Sequence, residues 1–132
     1  MCLQIGIEER IIKKELLLKT ALIIGDKKSI DELLDDSFIF KIRNNVLTKK
    51  DYLSEERMQL NKIHSLDLFL QTFDNITTDT VKTTLWVEIK IKFKDKDFEG
   101  KCKYTHVWKL FDEDYKLISG IIEEKEVKKI NP

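Results

Sequence analysis

Tyr104, His106 and Trp108 alternate along one stretch of the chain, a spacing that sends a phenol, an imidazole and an indole to one face of a β-strand. An imidazole on a half-buried wall suits general acid/base chemistry near neutral pH, so His106 is the first catalytic candidate. Asp74 is the second, as the carboxylate that orients or protonates it. Thr72 and Thr83 add hydroxyls to the same predicted face, Tyr104 and Trp108 offer flat surfaces for stacking, and Arg43, before the Asn44-Asn45 turn, is a rim cation for a carboxylate. Plainer readings compete: a core histidine bonded to Tyr104 or to a backbone carbonyl, a turn aspartate, core aromatics and a solvated arginine. With no carboxylate assigned directly beside it, His106 is not by itself a catalytic constellation. The chain has no Gly-rich phosphate loop, no nucleophilic Ser or Cys with its base and no zinc cluster, so neither metal nor cofactor is expected and Cys102 reads as a small core residue.

Two long alternating segments must position these groups. From Val81 to Phe93 the odd residues are Val, Thr, Leu, Val, Ile, Ile and Phe and the even ones are mostly charged or polar, which predicts a strand long enough to belong to a curved sheet. Further strands are predicted over 65–75, 98–111 and 115–123, joined by short connections and therefore antiparallel. A hairpin loop at Lys94 to Asp97 would set Leu85, Val87 and Ile89 against His106, Tyr104 and Cys102, with two attractive charge pairs (Glu88 with Lys103, Lys92 with Glu99) and one repulsive pair, Lys90 with Lys101. The preceding hairpin would set Leu66, Leu68 and Leu70 beside Ile91, Ile89 and Val87. The last strand reads as apolar on both faces, and 124–132 as a charged tail with little reason to be ordered. On the outer face the same register gathers Phe69, Phe73, Trp86, Val107 and Phe111, an aromatic patch of the kind that marks an interface, here expected to be a homodimer.

Before the sheet, Ile7, Ile11, Leu18 and Leu22 form a helical stripe that Leu17, Ala21 and Ile24 widen, with Glu8, Glu9, Arg10, Lys13 and Lys14 opposite. Gly25 stops this helix and Asp26 caps a second one carrying Ile30, Leu33 and Leu34. A short strand over 38–42 and a third helix, opened by Thr48 and Asp51 as a variant capping box and running through Tyr52, Leu53 and Met58, complete the order. The 132 residues, 42% of them hydrophobic, suit a single domain with one core. Its 24 basic and 24 acidic residues cancel and interleave, which argues against nucleic acid as a partner. No apolar run approaches membrane-spanning length, residues 1–10 lack a signal pattern, and Cys2 and Cys102 form no disulfide framework, so a cytoplasmic protein is expected.

This order resembles the cone-shaped, cystatin-like α+β fold of the nuclear transport factor 2-like superfamily, with N-terminal helices packed on a curved, mainly antiparallel sheet. Within it the chain is most similar to bacterial SnoaL-like domains of unknown function. The resemblance rests on Leu22-Ile23-Ile24-Gly25-Asp26, Leu34-Asp35-Asp36-Ser37-Phe38, Leu47-Thr48-Lys49-Lys50-Asp51-Tyr52-Leu53, Tyr104-Thr105-His106-Val107-Trp108-Lys109 and Tyr115-Lys116-Leu117-Ile118-Ser119-Gly120. It implies a pocket at the open end of the cone and, in many members, dimers packed sheet to sheet. Many relatives carry Arg where His106 stands. The first helix lacks the tyrosine that ketosteroid isomerases use, and a scytalone-dehydratase-like histidine pair is not evident, because His64 is expected in the loop before the sheet. The scaffold hosts isomerases, cyclases, dehydratases and proteins that only bind or dimerise. The resulting expectation is a homodimer that binds a small, partly apolar ligand. The alternatives are a metal-independent acid/base enzyme using His106 and a non-catalytic accessory module.

Overall fold

Gly25 adopts φ +72°, a backbone that only glycine enters freely, and there the first helix ends and the chain turns. The computed structural model describes residues 2–130, and the side chains of all of these except 2–5, 124, 125 and 127. Helix α1 spans Cys2–Ile24 and α2 spans Lys27–Leu33, the latter capped by the Asp26 carboxylate, which accepts from the Ser29 amide. Strands β1 (Leu34–Ile42) and β2 (Asn45–Thr48) follow, then α3 (Lys49–Tyr52) and α4 (Glu55–Leu60) in place of one third helix. Thr48 and Asp51 form the expected capping box: the Asp51 amide donates to the Thr48 hydroxyl and the Thr48 amide to the Asp51 carboxylate. Four long strands complete the chain: β3 (Asn61–Ile76), β4 (Thr80–Phe93), β5 (Lys96–Phe111) and β6 (Asp114–Lys129). They form one sheet in the order β2-β1-β6-β5-β4-β3, antiparallel except for the β1–β6 pair.

Ile7, Ile11, Leu18 and Ala21 of α1 are buried, whereas Leu17 and Ile24 are not part of that face and stand 57% and 67% exposed. At 100° per residue they lie too far round the helix from the Ile11–Leu18 line. The core behind α1 gathers Ile30, Leu34, Phe38, Phe40, Val81, Trp108, Tyr115 and Leu117, and Leu66, Leu85, Val87, Ile89 and Cys102 form a second cluster further along the sheet.

Tight turns and bulges correct the expected registers. The β4–β5 turn is only Lys94 and Asp95, with φ 51° and 65°, the two left-handed residues of a short hairpin turn. Pairing therefore shifts by two residues, setting Leu85, Val87 and Ile89 against Tyr104, Cys102 and Gly100. Parity is preserved, so the inner face is unchanged. Charge matching improves: Glu88 faces Lys101, Lys90 faces Glu99 and Lys92 faces Asp97.

Strand β3 starts at Asn61, which puts His64 on the strand, its Nε2 3.9 Å from Asp97, instead of in a loop. Leu66 and Leu68 face Ile89 and Val87, and a bulge then leaves Leu70 opposite Trp86. The extra residue switches the strand's faces. Gln71 and Phe73 now align with Leu85 and Thr83 on the inner side, and Thr72 aligns with Thr84 on the outer side.

The doubly apolar look of β6 has the same cause. Tyr115 and Leu117 face inward beside Leu110 and Trp108, a bulge intervenes, and Gly120 and Ile122 continue the inner face beside His106 and Tyr104. Beyond Glu123 the charged segment is not a loose tail: 124–129 continue β6 along β5 as far as Phe98 opposite Lys129, while 131–132 lie outside the described residues.

Candidate functional site

Glu15 occupies the apolar stripe of α1, four residues after Ile11 and three before Leu18, and is only 8% exposed. Its Oε1 lies 2.7 Å from Nε1 of Trp108 and 2.7 Å from Nδ1 of His106. An indole N–H can only donate, so Oε1 is an acceptor, and Nδ1 of His106 must then carry the hydrogen pointed at it. In the neutral imidazole this leaves Nε2 as the accepting nitrogen. Nε2 has no hydrogen-bond partner among the described residues, and no side-chain nitrogen or oxygen there is both fully buried and unpartnered, so Nε2 is open to the cavity that His106 lines. Burial of a carboxylate is tolerable here because two donors meet one of its oxygens.

The cavity has a volume of about 310 Å³, at the small end for ligand sites. One wall is aliphatic, from Leu66, Leu85, Val87 and Ile89; Phe38, Phe40 and Tyr52 form another. Ile12 and Leu16, 47% and 59% exposed, stand at its edge on α1. Tyr104 also lines it, its ring centroid 5.9 Å from that of His106. Burial pushes the Tyr104 phenol well above its ordinary range, and the neighbouring Cys102 pushes the same way, so the hydroxyl remains a proton donor. Gly120 sits between the Phe40 and His106 strands: a β-carbon there would come within 3.2 Å of the Phe40 ring and 3.5 Å of His106 Cδ2. The absent side chain lets both rings reach the cavity floor.

The other sequence candidates separate. Trp108 is fully buried and held through Glu15, and Thr83 is buried with its hydroxyl donating to the Thr72 carbonyl and accepting from Gln71; neither lines the cavity. Thr72 and Asp74 do not reach the cavity. The Asp74 carboxylate accepts from the Thr72 and Thr84 hydroxyls on the outer face, because the β3 bulges turn it away from His106. Glu15, not Asp74, is the carboxylate partner. Arg43 is exposed in the β1–β2 turn at φ 54° and does not line the cavity; the arginine that does is Arg57 of α4. Phe73 leaves the outer patch and packs against the core, whereas Phe69, Trp86, Val107 and Phe111 stay outside, with Lys101, Lys103 and Lys109 ammonium groups over Phe69, Trp86 and Phe111. Among the described residues no three His, Cys, Asp or Glu side chains are grouped so as to hold a metal ion.

No family model and no curated protein matches this chain. Solved structures do. A nuclear transport factor 2-like protein from Cytophaga hutchinsonii is 27% identical and superposes with a TM-score of 0.80 over 87% of this chain and 95% of that one. This chain has the nuclear transport factor 2-like fold. A nuclear transport factor 2-like protein of unknown function in nutrient uptake, from Rhodospirillum rubrum, is 24% identical with a TM-score of 0.77 over 85% and 95% of the two chains. A hexachlorocyclohexane dehydrochlorinase, 8% identical, reaches 0.83 over 97% and 91%. In this nuclear transport factor 2-like cone the Glu15–His106 pair joins the first helix to the sheet's concave face. No helix among the described residues is long and apolar enough to cross a membrane.

Proposed function

We propose that the cone cavity takes up a small, largely apolar molecule and that His106, oriented by Glu15, moves a proton on it. The observation that carries this reading is the 2.7 Å contact between Glu15 Oε1 and His106 Nδ1 with Nε2 open to an apolar cavity. Glu15 holds the ring in the tautomer whose Nε2 accepts a proton, and its carboxylate balances the positive charge that forms when it does. Tyr104, kept protonated by burial, is a donor beside the same space for an oxygen on the ligand. The neighbour named a hexachlorocyclohexane dehydrochlorinase lends support, since removing hydrogen chloride takes a proton from an apolar molecule on the same fold.

The test uses 2-octanone and phenylacetone in deuterated buffer, with deuterium incorporation at the carbons beside the carbonyl followed by proton NMR. The 132-residue chain is expected to exceed buffer, and His106→Ala to lose about 10²-fold or more of that rate. Incorporation unchanged in His106→Ala, or absent for both ketones, would end the catalytic reading and leave a binding or accessory protein.

Pairing with a second copy is part of the same proposal, through the outer sheet face at Phe69, Trp86, Val107 and Phe111, of which Phe69 is 54% exposed. Trp86→Glu is expected to convert a dimer at micromolar concentration into a monomer in sedimentation velocity. A wild-type chain that already sediments as a monomer contradicts it. A cytoplasmic, bacterial setting completes the reading, supported by the lack of a disulfide framework and by the neighbours' sources.

A further inference from the structure

Three charged side chains line the cavity among the described residues: Glu15, Lys19 and Arg57. Glu15 is engaged by His106 and Trp108. Arg57 is different. Its guanidinium carbon lies 4.2 Å from the Tyr52 ring centre and 5.7 Å from that of Phe40, and one nitrogen donates to the Tyr52 carbonyl at 3.1 Å. The Tyr52 hydroxyl is its other neighbour. No carboxylate among the described residues comes within 4 Å of it in an ion pair, although the side chain is half-buried in an apolar wall. Most of its five N–H donors are therefore unengaged. The Tyr52 ring under the guanidinium and the hydrogen bond to the Tyr52 carbonyl hold the fork in place, the preparation that bidentate recognition of a carboxylate requires.

Arg57 and His106 line the same cavity. Phe40 connects them: Arg57 lies over the Phe40 ring, and Phe40 and His106 flank the same bare face of Gly120. The same cavity offers the aliphatic wall of Leu66, Leu85 and Val87. We infer that the ligand is a small apolar carboxylic acid, its carboxylate on Arg57 and its hydrocarbon body against that wall, with a carbon presented to His106. The inference rests on the cavity being a ligand site, as proposed above, and adds the class of the ligand.

Isothermal titration of the 132-residue chain with octanoate and with octanamide, equal in length and differing in charge, tests it. Octanoate is expected to bind about tenfold or more tighter than octanamide, the worth of hydrogen bonds to a charged partner. In Arg57→Gln the preference should fall to about threefold or less, and Arg57→Lys, which keeps the charge and loses the fork, should fall between. An unchanged urea midpoint shows that the variants retain the fold. Equal binding of the two probes by the wild type, or a preference that survives Arg57→Gln, overturns the carboxylate assignment while leaving the cavity as an apolar ligand site. Failure of both probes to bind at millimolar concentration overturns both readings.

Discussion

Glu15→Ala is expected to lower stability by about 2–4 kcal/mol and to remove proton transfer at the same time, because one oxygen serves both purposes. Deleting the carboxylate strands the Trp108 indole N–H in a side chain that is fully buried, and strands Nδ1 of His106 as well. The smaller side chain also leaves a gap in the Ile11–Leu18 stripe. Glu15→Gln separates the two roles. Its amide oxygen still accepts from both rings, so the urea midpoint should stay near that of the wild type. The negative charge that balances an imidazolium is gone, and the exchange rate should drop about 10²-fold. Urea unfolding followed by tryptophan fluorescence, beside the deuterium assay, reads both. Wild-type stability in Glu15→Ala would mean that the network contributes nothing to the fold, and full activity in Glu15→Gln would mean that the charge contributes nothing to catalysis.

Raising the pH above about 10 is expected to destabilise the fold steeply, from burial of two phenols. Desolvation pushes Tyr104 and Tyr52 up from their ordinary 10.0; Cys102 adds to the rise at Tyr104, and Arg57 opposes it at Tyr52. In the unfolded chain both ionise at about 10, so above that pH the folded state holds more protons than the unfolded one, and stability falls as pH rises. The contribution is complete below the unfolded value and is lost as pH climbs toward the raised folded values. Each phenol accounts for about 1.4 kcal/mol per pH unit in that window. Urea midpoints at about pH 9 and pH 11 measure the slope. Tyr104→Phe should remove roughly half of it, even though it also deletes the contact with Cys102. A midpoint independent of pH across this range would show that the phenols ionise in place.

The inner face of β4 and β5 was readable from the amino-acid order because alternation has a period of two, and the two-residue register error left its parity intact. The correct register was in reach of the charges. Lys94-Asp95 as the turn pairs three opposite charges, whereas the longer loop leaves Lys90 facing Lys101. Asp74 and Phe73 failed for one reason: a β-bulge adds a residue without leaving a distinctive composition, and everything beyond it changes sides. The same effect made both faces of β6 look buried.

Glu15 carried a readable signal that a list of charges conceals, since it stands at a core position of α1 between Ile11 and Leu18. A glutamate at such a position asks for a buried partner, but which partner cannot be read from spacing along one helix. The local patterns of the chain determined α1, the cores of the four long strands, the caps at Asp26 and Thr48, the stop at Gly25 and the side of the sheet on which His106 stands, but not β2, the division of α3 from α4 or the strand course of 124–129. Only the tertiary structure decided that α1 lies across the sheet so that Glu15 meets His106 and Trp108, 91 and 93 residues away, and that Arg57 faces the cavity in place of Arg43. Local propensity acts over a few residues, whereas these contacts depend on sheet curvature and bulges summed over the whole fold.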